Sequence, residues 1–456
     1  MNRWLAGNVF WPLTERLMGR DTMRRFRALT ASQHWSVNEL AVLRNRKLRR
    51  LLNAAGQHCP FYARRFREAG LCPDDPNLTV EDLRRLPVLE RHTIRAHLHE
   101  MTWIGCPGGA YPYSTGGSSG EPLRFYFDRP RQAADWAARW RARSWWNVRP
   151  GDPEILLWGA PVELKTQDRL KACRDRLLNQ LLLSAFDLTA ERMDACIAAF
   201  QRRRPICVYG YPSSLALLAR HALDRNLPPG GLGSPRLRAV FVTGEVLLPH
   251  DRQTIERAFG APVVVEYGCR DGGLLACGCP AGRLHVPEEN VIVEVLDPST
   301  GRPVSPGQTG DVVVTNLDCL ATPMIRYRTG DLATFGGHGC ACGLTSTTLL
   351  EVTGRKTDQI VCPTPQGLKH MHALSLIYVL REVEGLRQFR VIQRSLNALD
   401  VEIVPGAPFT DQAEKSILQG LRQRVGPQMN IRILRRERIT PTASGKHACV
   451  ISEVKS

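Results

Sequence analysis

Apolar positions fall into distinct textures along the chain. Over residues 1–105, Val37, Leu40, Leu43, Leu48, Leu51 and Leu52 recur at helical spacing among Arg and Asn, and Pro60, Pro73, Pro76 and Pro87 punctuate the rest. That pattern predicts a mainly helical region. From about 106 short apolar runs take over: Ile155–Trp158, Ile206–Tyr209, Ala239–Val242 and Val263–Tyr267. Each has the length of a buried strand, and helix-length stretches over 129–146, 168–183, 190–202 and 213–225 lie among them. Strand and helix in alternation predict a parallel sheet covered on both faces.

Residues 284–333 change again. Asn290–Asp297, Gly310–Asn316 and Met324–Tyr327 predict strands parted by Gly/Pro turns, hence an antiparallel or barrel-like subdomain. Beyond Gly354–Arg355 come a helix at about 371–384, strands near 388–394 and 399–404, a helix near 410–426 and a basic β segment. The expected fold is α/β. A large N-terminal domain carries mixed and parallel sheets covered by helices plus the β-rich subdomain, and a small mobile α+β domain follows. The expected boundaries are 1–105 for the N-terminal helical region, 106–355 for the core with the β-rich subdomain at about 284–333, and 356–456 for the small C-terminal lid.

Composition narrows the class. With 456 residues, 43% apolar and 23% charged, the chain is globular and multidomain, not disordered or fibrous. No stretch approaches ~18 uncharged apolar residues, which excludes a transmembrane helix. The net charge of +17 comes from eight lysines and 53 arginines against 44 acids. The arginines are scattered, so a solvated surface is the preferred reading; a nucleic-acid binder would rest on charge alone. Fourteen cysteines, several of them lone (Cys173, Cys196, Cys207, Cys319), suit reduced thiols of a cytoplasmic protein. The N-terminal MNRWLAGNVFWPL lacks an A-x-A-like cleavage site and leads into TERLMGRDTMRRFRAL. A packed amphipathic helix is preferred there over a signal peptide or a membrane-surface helix.

The chemistry-bearing residues come in ordered strings. Tyr113 to Asp128 reads YSTGGSSGEPLRFYFD, with Ser114, Thr115, Ser118 and Ser119 among Gly116, Gly117 and Gly120. Glycines let backbone N–H groups turn inward and hydroxyls add donors, which makes a phosphate cradle, although an ordinary Gly/Ser turn has the same composition. The lysine of the common nucleotide P-loop is missing. Val242-Thr243-Gly244-Glu245 follows a strand and ends in a glycine turn, as suits a site at a strand's carboxyl end. Val265-Glu266-Tyr267-Gly268 repeats the layout and Asp271 follows. Then come Arg326-Tyr327-Arg328-Thr329-Gly330-Asp331, Val352-Thr353-Gly354-Arg355 and Pro441-Thr442-Ala443-Ser444-Gly445-Lys446.

In this order and spacing the chain resembles the adenylate-forming (acyl-CoA synthetase-like) superfamily, within it the phenylacetate–CoA ligase and CapK-like branch, from about residue 40 onward. The resemblance implies an enzyme in which a carboxylate attacks the α-phosphate of ATP to give an acyl-adenylate. A nucleophile, by default the thiol of coenzyme A, then displaces AMP; an amine acceptor giving an amide is the competing reading. It further implies that Ser114–Gly120 grips the β- and γ-phosphates, that Gly244 and Glu245 enclose the adenine, and that Tyr267, between Glu266 and Gly268, stacks on it. Asp331 would accept both ribose hydroxyls, Asp271 would help hold Mg²⁺, Arg355 would sit at the ribose–phosphate end and Lys446 would reach the reacting carboxylate. Trp158, Tyr209, Gly210, Tyr211, Pro212 and Ser213 would bound the acid; a helix N-terminus with a serine cap is the plainer reading of the last four.

Three departures bear on function. Glu121 stands where the superfamily has a lysine, a change that suits the branch. Cys269-Arg270-Asp271 replaces the usual Thr-Glu, and Val361-Cys362-Pro363-Thr364-Pro365-Gln366-Gly367 departs from the glycine-rich segment that helps phenylacetate ligases accept coenzyme A.

A second constellation is Cys277-Gly278-Cys279 with His285, and Cys340-Ala341-Cys342. Cysteine pairs with a histidine in a reduced protein read as ligands of a structural Zn²⁺ site, here Cys279, His285, Cys340 and Cys342, with Cys277 and His338 as substitutes. Free thiols and a structural histidine are the alternative. The partners expected are a small carboxylic acid and a thiol or amine acceptor, without nucleic acid or stable membrane insertion, and with room for a homodimer. A non-catalytic nucleotide- and zinc-binding scaffold is the reading from outside enzymology.

Overall fold

A computed structural model describes residues 1–114, 123–158, 173–185, 188–245, 247, 249–353, 359–364, 367–381, 383–406, 408–437, 439 and 450–454. The N-terminal region is helical, as the spacing predicts. A continuous helical run over 3–17 (α1) is α-helical at Arg3–Leu5 and Trp11–Leu17 and π-helical at Ala6–Phe10. It is followed by α2 (Thr22–Ser32), α3 (Val37–His58), α4 (Pro60–Glu68) and α5 (Arg91–Met101). The amphipathic stretch expected to be one helix breaks at Gly19, whose φ is +66°. α3 starts on a capping box: Ser36 accepts from the Glu39 N–H and the Glu39 carboxylate accepts from the Ser36 N–H.

The centre of the molecule is one sheet of eleven strands in the order β10-β11-β12-β13-β9-β8-β7-β6-β5-β3-β4. Its parallel half comprises β3 (Glu154–Trp158), β4 (Gln180–Ser184), β5 (Cys207–Gly210), β6 (Ala239–Val242) and β7 (Val263–Cys269). Helix α6 (Arg129–Ser144) covers one face, where Trp140 packs with Tyr209, Phe241 and Val264. Helices α7 (Ala190–Arg203), α8 (Pro212–Asp224) and α9 (Pro249–Phe259) cover the other, burying Phe200, Leu215 and Ile255 against Val208, Val240 and Val242. Strand residues alternate between these two cores with the period of two that a doubly covered sheet requires.

β7 belongs to both halves. Val263–Val265 pair in parallel with β6, and Glu266–Cys269 turn to pair antiparallel with β8 (Gly273–Gly278). β9 (Leu284–His285), β10 (Val291–Leu296), β11 (Thr309–Asn316), β12 (Tyr327–His338) and β13 (Thr347–Thr353) complete the antiparallel half. The β-rich region is thus continuous with the main sheet instead of closing as a separate barrel. Two further expectations are corrected. Residues 180–184, read as the end of a helix, form β4 beside β3, and Met324–Arg326 precede β12 instead of joining it, because Arg326 takes a φ of +51°.

A two-stranded sheet, β1 (Tyr111–Ser114) and β2 (Arg124–Phe127), flanks the main one. After residue 358 come the hairpin β14 (Gln359–Thr364)–β15 (Gly367–His372), helix α10 (Ala373–Arg381), β16 (Leu386–Ser395), β17 (Ala398–Pro405), helix α11 (Asp411–Val425), β18 (Asn430–Arg435) and β19 (Val450–Ser452). The last four strands form a sheet in the order β18-β17-β16-β19 around a core of Phe389, Val391, Val401, Ile417 and Leu421.

Candidate active site

The parallel strands direct their carboxyl ends to one side of the sheet. In the order β4-β3-β5-β6-β7 the chain moves one way from β3 to β4 and then the other way to β5. The connections leaving β3 and β5 therefore diverge, which makes those strand ends the topological switch point, the usual ligand position in such sheets. Aromatic side chains line that point. Trp158, the last residue of β3, stacks on Tyr211 with ring centres 4.1 Å apart and planes at 18°, and lies 5.4 Å from the Tyr209 ring. The next turn begins with the Thr243 N–H donating to the Gly210 carbonyl at 3.1 Å. Gly244 follows with φ +82°, and a Cβ there would lie 3.2 Å from the Tyr211 ring, so the turn favours a residue without a side chain. Glu245 is half-buried beside it.

Of the residues expected to bound the acid, Trp158, Tyr209 and Tyr211 pack together, and Gly244, expected at the adenine, lies against Tyr211. Pro212 begins α8, as a helix N-terminus predicts, but the capping residue is Tyr211 and no side chain caps the helix. The serine-cap reading is corrected: with Pro at the first turn one N–H is already absent. The Ser213 side chain lies outside the described residues.

Residues 266 and 267 point to opposite faces because a strand alternates. The Tyr267 hydroxyl donates to the Asp331 carboxylate at 3.0 Å, joining β7 to β12. Glu266 turns to the α6 face instead. Arg139 Nε lies 2.9 and 3.0 Å from its two carboxylate oxygens, Arg139 Nη2 lies 2.7 Å from Oε1, and the Tyr209 hydroxyl donates to Oε1 at 2.9 Å. Burial alone would raise the Glu266 carboxyl's pKa, but the Arg139 charge and hydrogen bonds outweigh it and hold the group below the usual carboxylate range. Glu266 is therefore not brought to the Tyr267–Asp331 pair; it ties Tyr209 to Arg139 on the α6 face.

Asp271 is buried. It accepts from the Tyr327 hydroxyl at 2.5 Å, and Arg91 of α5 lies 3.5 Å away. Burial works to raise its pKa, and the Arg91 charge with the Tyr327 bond prevails, so the carboxylate stays ionised. Its neighbour Arg270 donates to the Ser114 carbonyl at 3.2 Å and lies over the Tyr113 ring. Arg270 thus links the start of the hydroxyl-rich string to the β7–β8 turn, and Tyr267 links β7 to Asp331. Thr115, Gly116, Gly117, Ser118, Ser119, Gly120, Arg355 and Lys446 lie outside the described residues.

Four residues of this network escaped sequence reading as contributors: Arg91, Arg139, Arg270 and Tyr327. Arg270 and Tyr327 stand inside strings already singled out. Arg139 and Arg143 lie four apart among the alanines of α6, the spacing of one helix face. Arg91 carries no local signal.

The cysteines converge as the sequence reading chose them. One ligand atom from each of Cys279, His285, Cys340 and Cys342 lies within 4.8 Å of the others. Cys279 Sγ is 3.7 Å from Cys340 Sγ, and Cys342 Sγ is 3.3 Å from His285 Nε2. Zn–S bonds of about 2.3 Å in a tetrahedron put sulfurs about 3.8 Å apart, so the spacing fits. His285 Nδ1 lies 3.0 Å from the Ser346 hydroxyl, which leaves Nε2 toward the thiols. Burial first, then Arg141 and Arg283, lower the His285 pKa to about 4, keeping the ring neutral as a ligand must be. Cys277 packs into a separate core with Leu29, Ala137 and Ala138, and His338 lies by Thr347; neither joins the group.

Comparisons with known proteins support the fold class. Residues 180–319 match the AMP-binding enzyme family, and residues 364–453 match the CapK C-terminal domain. Phenylacetate-coenzyme A ligase of Thermus thermophilus is 26% identical over 392 residues, covering 83% of this chain and 84% of that protein. Protein CapK of Staphylococcus aureus is 24% identical over 295 residues, 64% of this chain and 63% of its own. A crystal structure of 2-hydroxyisobutyryl-CoA ligase in the postadenylation state shares the fold, with TM-score 0.59 at 21% identity over 92% of this chain and 91% of that one. The AMP-binding domain, the CapK C-terminal domain and the phenylacetate–CoA ligase and CapK relatives support the adenylate-forming, acyl-CoA synthetase-like superfamily. Within it they support the phenylacetate–CoA ligase and CapK-like branch and an acyl-adenylate-forming ligase.

Proposed function

We propose that this enzyme activates an aryl or similarly planar carboxylic acid with ATP and passes the acyl group to coenzyme A. The observation that carries the reading is the Tyr267–Asp331 hydrogen bond between β7 and β12. In this reading the Tyr267 ring meets the adenine and the acceptor-only Asp331 carboxylate takes the ribose hydroxyls. Gly244 and Glu245 close the base from the adjoining strand end. The Ser114–Gly120 loop holds the β- and γ-phosphates, and Arg355 meets the ribose–phosphate end. Trp158, Tyr209 and Tyr211 offer the acid a stacked wall, and Lys446 offsets charge on the reacting carboxylate and α-phosphate. The acid oxygen bonds to the α-phosphorus and pyrophosphate leaves; the thiol then adds to the acyl carbon and AMP leaves.

Asp271 fits poorly as a direct Mg²⁺ ligand, since Arg91 and Tyr327 already engage it. We place no Mg²⁺ ligand on the chain; the ion enters with ATP, retaining several waters. Asp331→Ala should raise the KM for ATP at least about tenfold, since a lost charged hydrogen-bond partner costs about 1.5–3 kcal/mol. Steady-state kinetics at saturating acid check this.

The amide-forming reading retains one observation in its favour: residues at the departing glycine segment form the β14–β15 hairpin. Pyrophosphate release across a panel of aryl acids, with coenzyme A or with amines, separates the two acceptors. No ATP–pyrophosphate exchange with any acid would overturn both.

We further assign a structural Zn²⁺ to Cys279, His285, Cys340 and Cys342, tying the β8–β9 turn to the turn after β12. Metal analysis of the purified protein should find about one zinc per chain, and Cys340→Ser with Cys342→Ser should lose it and melt earlier, because a closed ligand shell contributes folding energy. Full retention of zinc in that double variant would refute the assignment. Every described cysteine is a free thiol, and no described helix is long and apolar enough to cross a membrane; we place the enzyme in the cytoplasm.

A further inference from the structure

Helix α1 has two dissimilar sides. Its inner side meets the turn before β3 at backbone distance: a Cβ on Gly7 would lie 2.2 Å from the Pro150 carbonyl oxygen, and one on Gly151 would lie 2.2 Å from the Gly7 nitrogen. Next along that side Trp11 packs edge-on against Trp136 and Trp140, at 5.7 and 5.1 Å, and Glu15 is buried, pairing with Arg20. The outer side is apolar and open. Leu5, Val9, Leu13 and Leu17 are 40, 40, 48 and 79% exposed, and Trp4 nearby is 65% exposed.

The π-helical turn at Ala6–Phe10 shapes this side. In an unbroken α-helix, residues four apart drift by about 40° per step, so positions 5, 9, 13 and 17 would wind away. A π turn holds about 4.4 residues and cancels most of that drift. The four side chains then form one straight ridge opposite Gly7, Trp11 and Glu15, about 18 Å long at 1.5 Å per residue. The packed helix expected from the sequence is present, yet half of it faces outward.

Charge decides what covers the ridge. Over residues 1–34 six arginines face two acidic residues, Arg16, Arg24 and Arg27 are exposed, and the whole chain carries +17. A second copy would bring the same positive charge to the contact. Nucleic acid would answer the arginines but leave the aliphatic ridge in water. A bilayer with anionic headgroups satisfies both, with apolar side chains at the headgroup–acyl boundary and arginines among the phosphates. We propose that α1 docks this enzyme on an anionic phospholipid surface without crossing it.

The test uses the full-length protein and vesicles of phosphatidylcholine with or without phosphatidylglycerol. At low salt, co-sedimentation should be at least tenfold greater with the anionic vesicles. The variant Leu13→Glu with Leu17→Glu should lose at least tenfold in vesicle affinity, with unchanged circular dichroism and unchanged ATP–pyrophosphate exchange. The milder Leu13→Ser with Leu17→Ser should lose an intermediate amount. Equal binding of wild type and the glutamate variant would overturn the proposal. So would a wild-type dimer in sedimentation velocity that the variant dissolves without any vesicle binding, or a ridge-dependent complex with duplex nucleic acid in its place.

Discussion

Lys446→Ala is expected to lower acid-dependent ATP–pyrophosphate exchange by at least about 10³-fold while shifting ATP affinity by less than about threefold. The two readouts separate because adenylation develops charge where the carboxylate oxygen meets the α-phosphorus. A cation placed there stabilises the transition state more than bound ATP. On the proposed reading, base and ribose are held by other residues, Gly244, Tyr267 and Asp331. Lys446 follows Ser444-Gly445, and β19 begins at Val450, pairing in parallel with β16 of the small sheet. A lysine supplied from that unit can attend one half-reaction and leave for the other. Normal exchange in the variant would remove the lysine from the mechanism. A loss of ATP binding equal to the loss of exchange would make it a binding residue only.

The second large effect is on stability. Arg139→Ala should cost about 3–5 kcal/mol, because it strands the Glu266 carboxylate in the interior between α6 and β7. Arg139→Met with Glu266→Gln should recover much of that loss, since the uncompensated charge disappears with its partner. Denaturant unfolding followed by tryptophan fluorescence measures both. The sign with pH follows from the lowered pKa of Glu266. Its contribution is complete above the unfolded carboxylate value of about 4.3 and is lost as pH falls through the folded value. The single variant should therefore have a shallower acid limb than the wild type.

Local pattern made much of this legible. The strands ending at Trp158, Gly210 and Val242 stand within a residue or so of the apolar runs that predict them, because buried parallel strands are written as short continuous runs. The same property misled at 180–184: Leu181, Leu182 and Leu183 suit a buried strand as well as a helix, and periodicity does not separate them. The union of both halves in one sheet was hidden, since it depends on β7 exchanging β6 for β8 between Val265 and Glu266. No single segment encodes a pairing of that kind. The strings holding Tyr267 and Asp331, whose side chains meet, stood out as ordered motifs, and the thiol group stood out through cysteine pairs with a histidine. Arg91 did not, because its role exists only once α5 lies beside Asp271, 180 positions on in the chain. The Glu266–Arg139 pair was hidden for a related reason: a motif string does not say which face of the strand each residue takes.

The way β7 is shared sets where this enzyme tolerates recombination with its relatives. A splice inside 263–278 would separate the parallel neighbours of β7 from its antiparallel ones and leave two raw edges, each inviting aggregation. The ladders of β14 to β19 close among themselves. Chimeras that trade everything after residue 358 should therefore stay well behaved, whereas those joined at the turn between Tyr267 and Gly273 should precipitate.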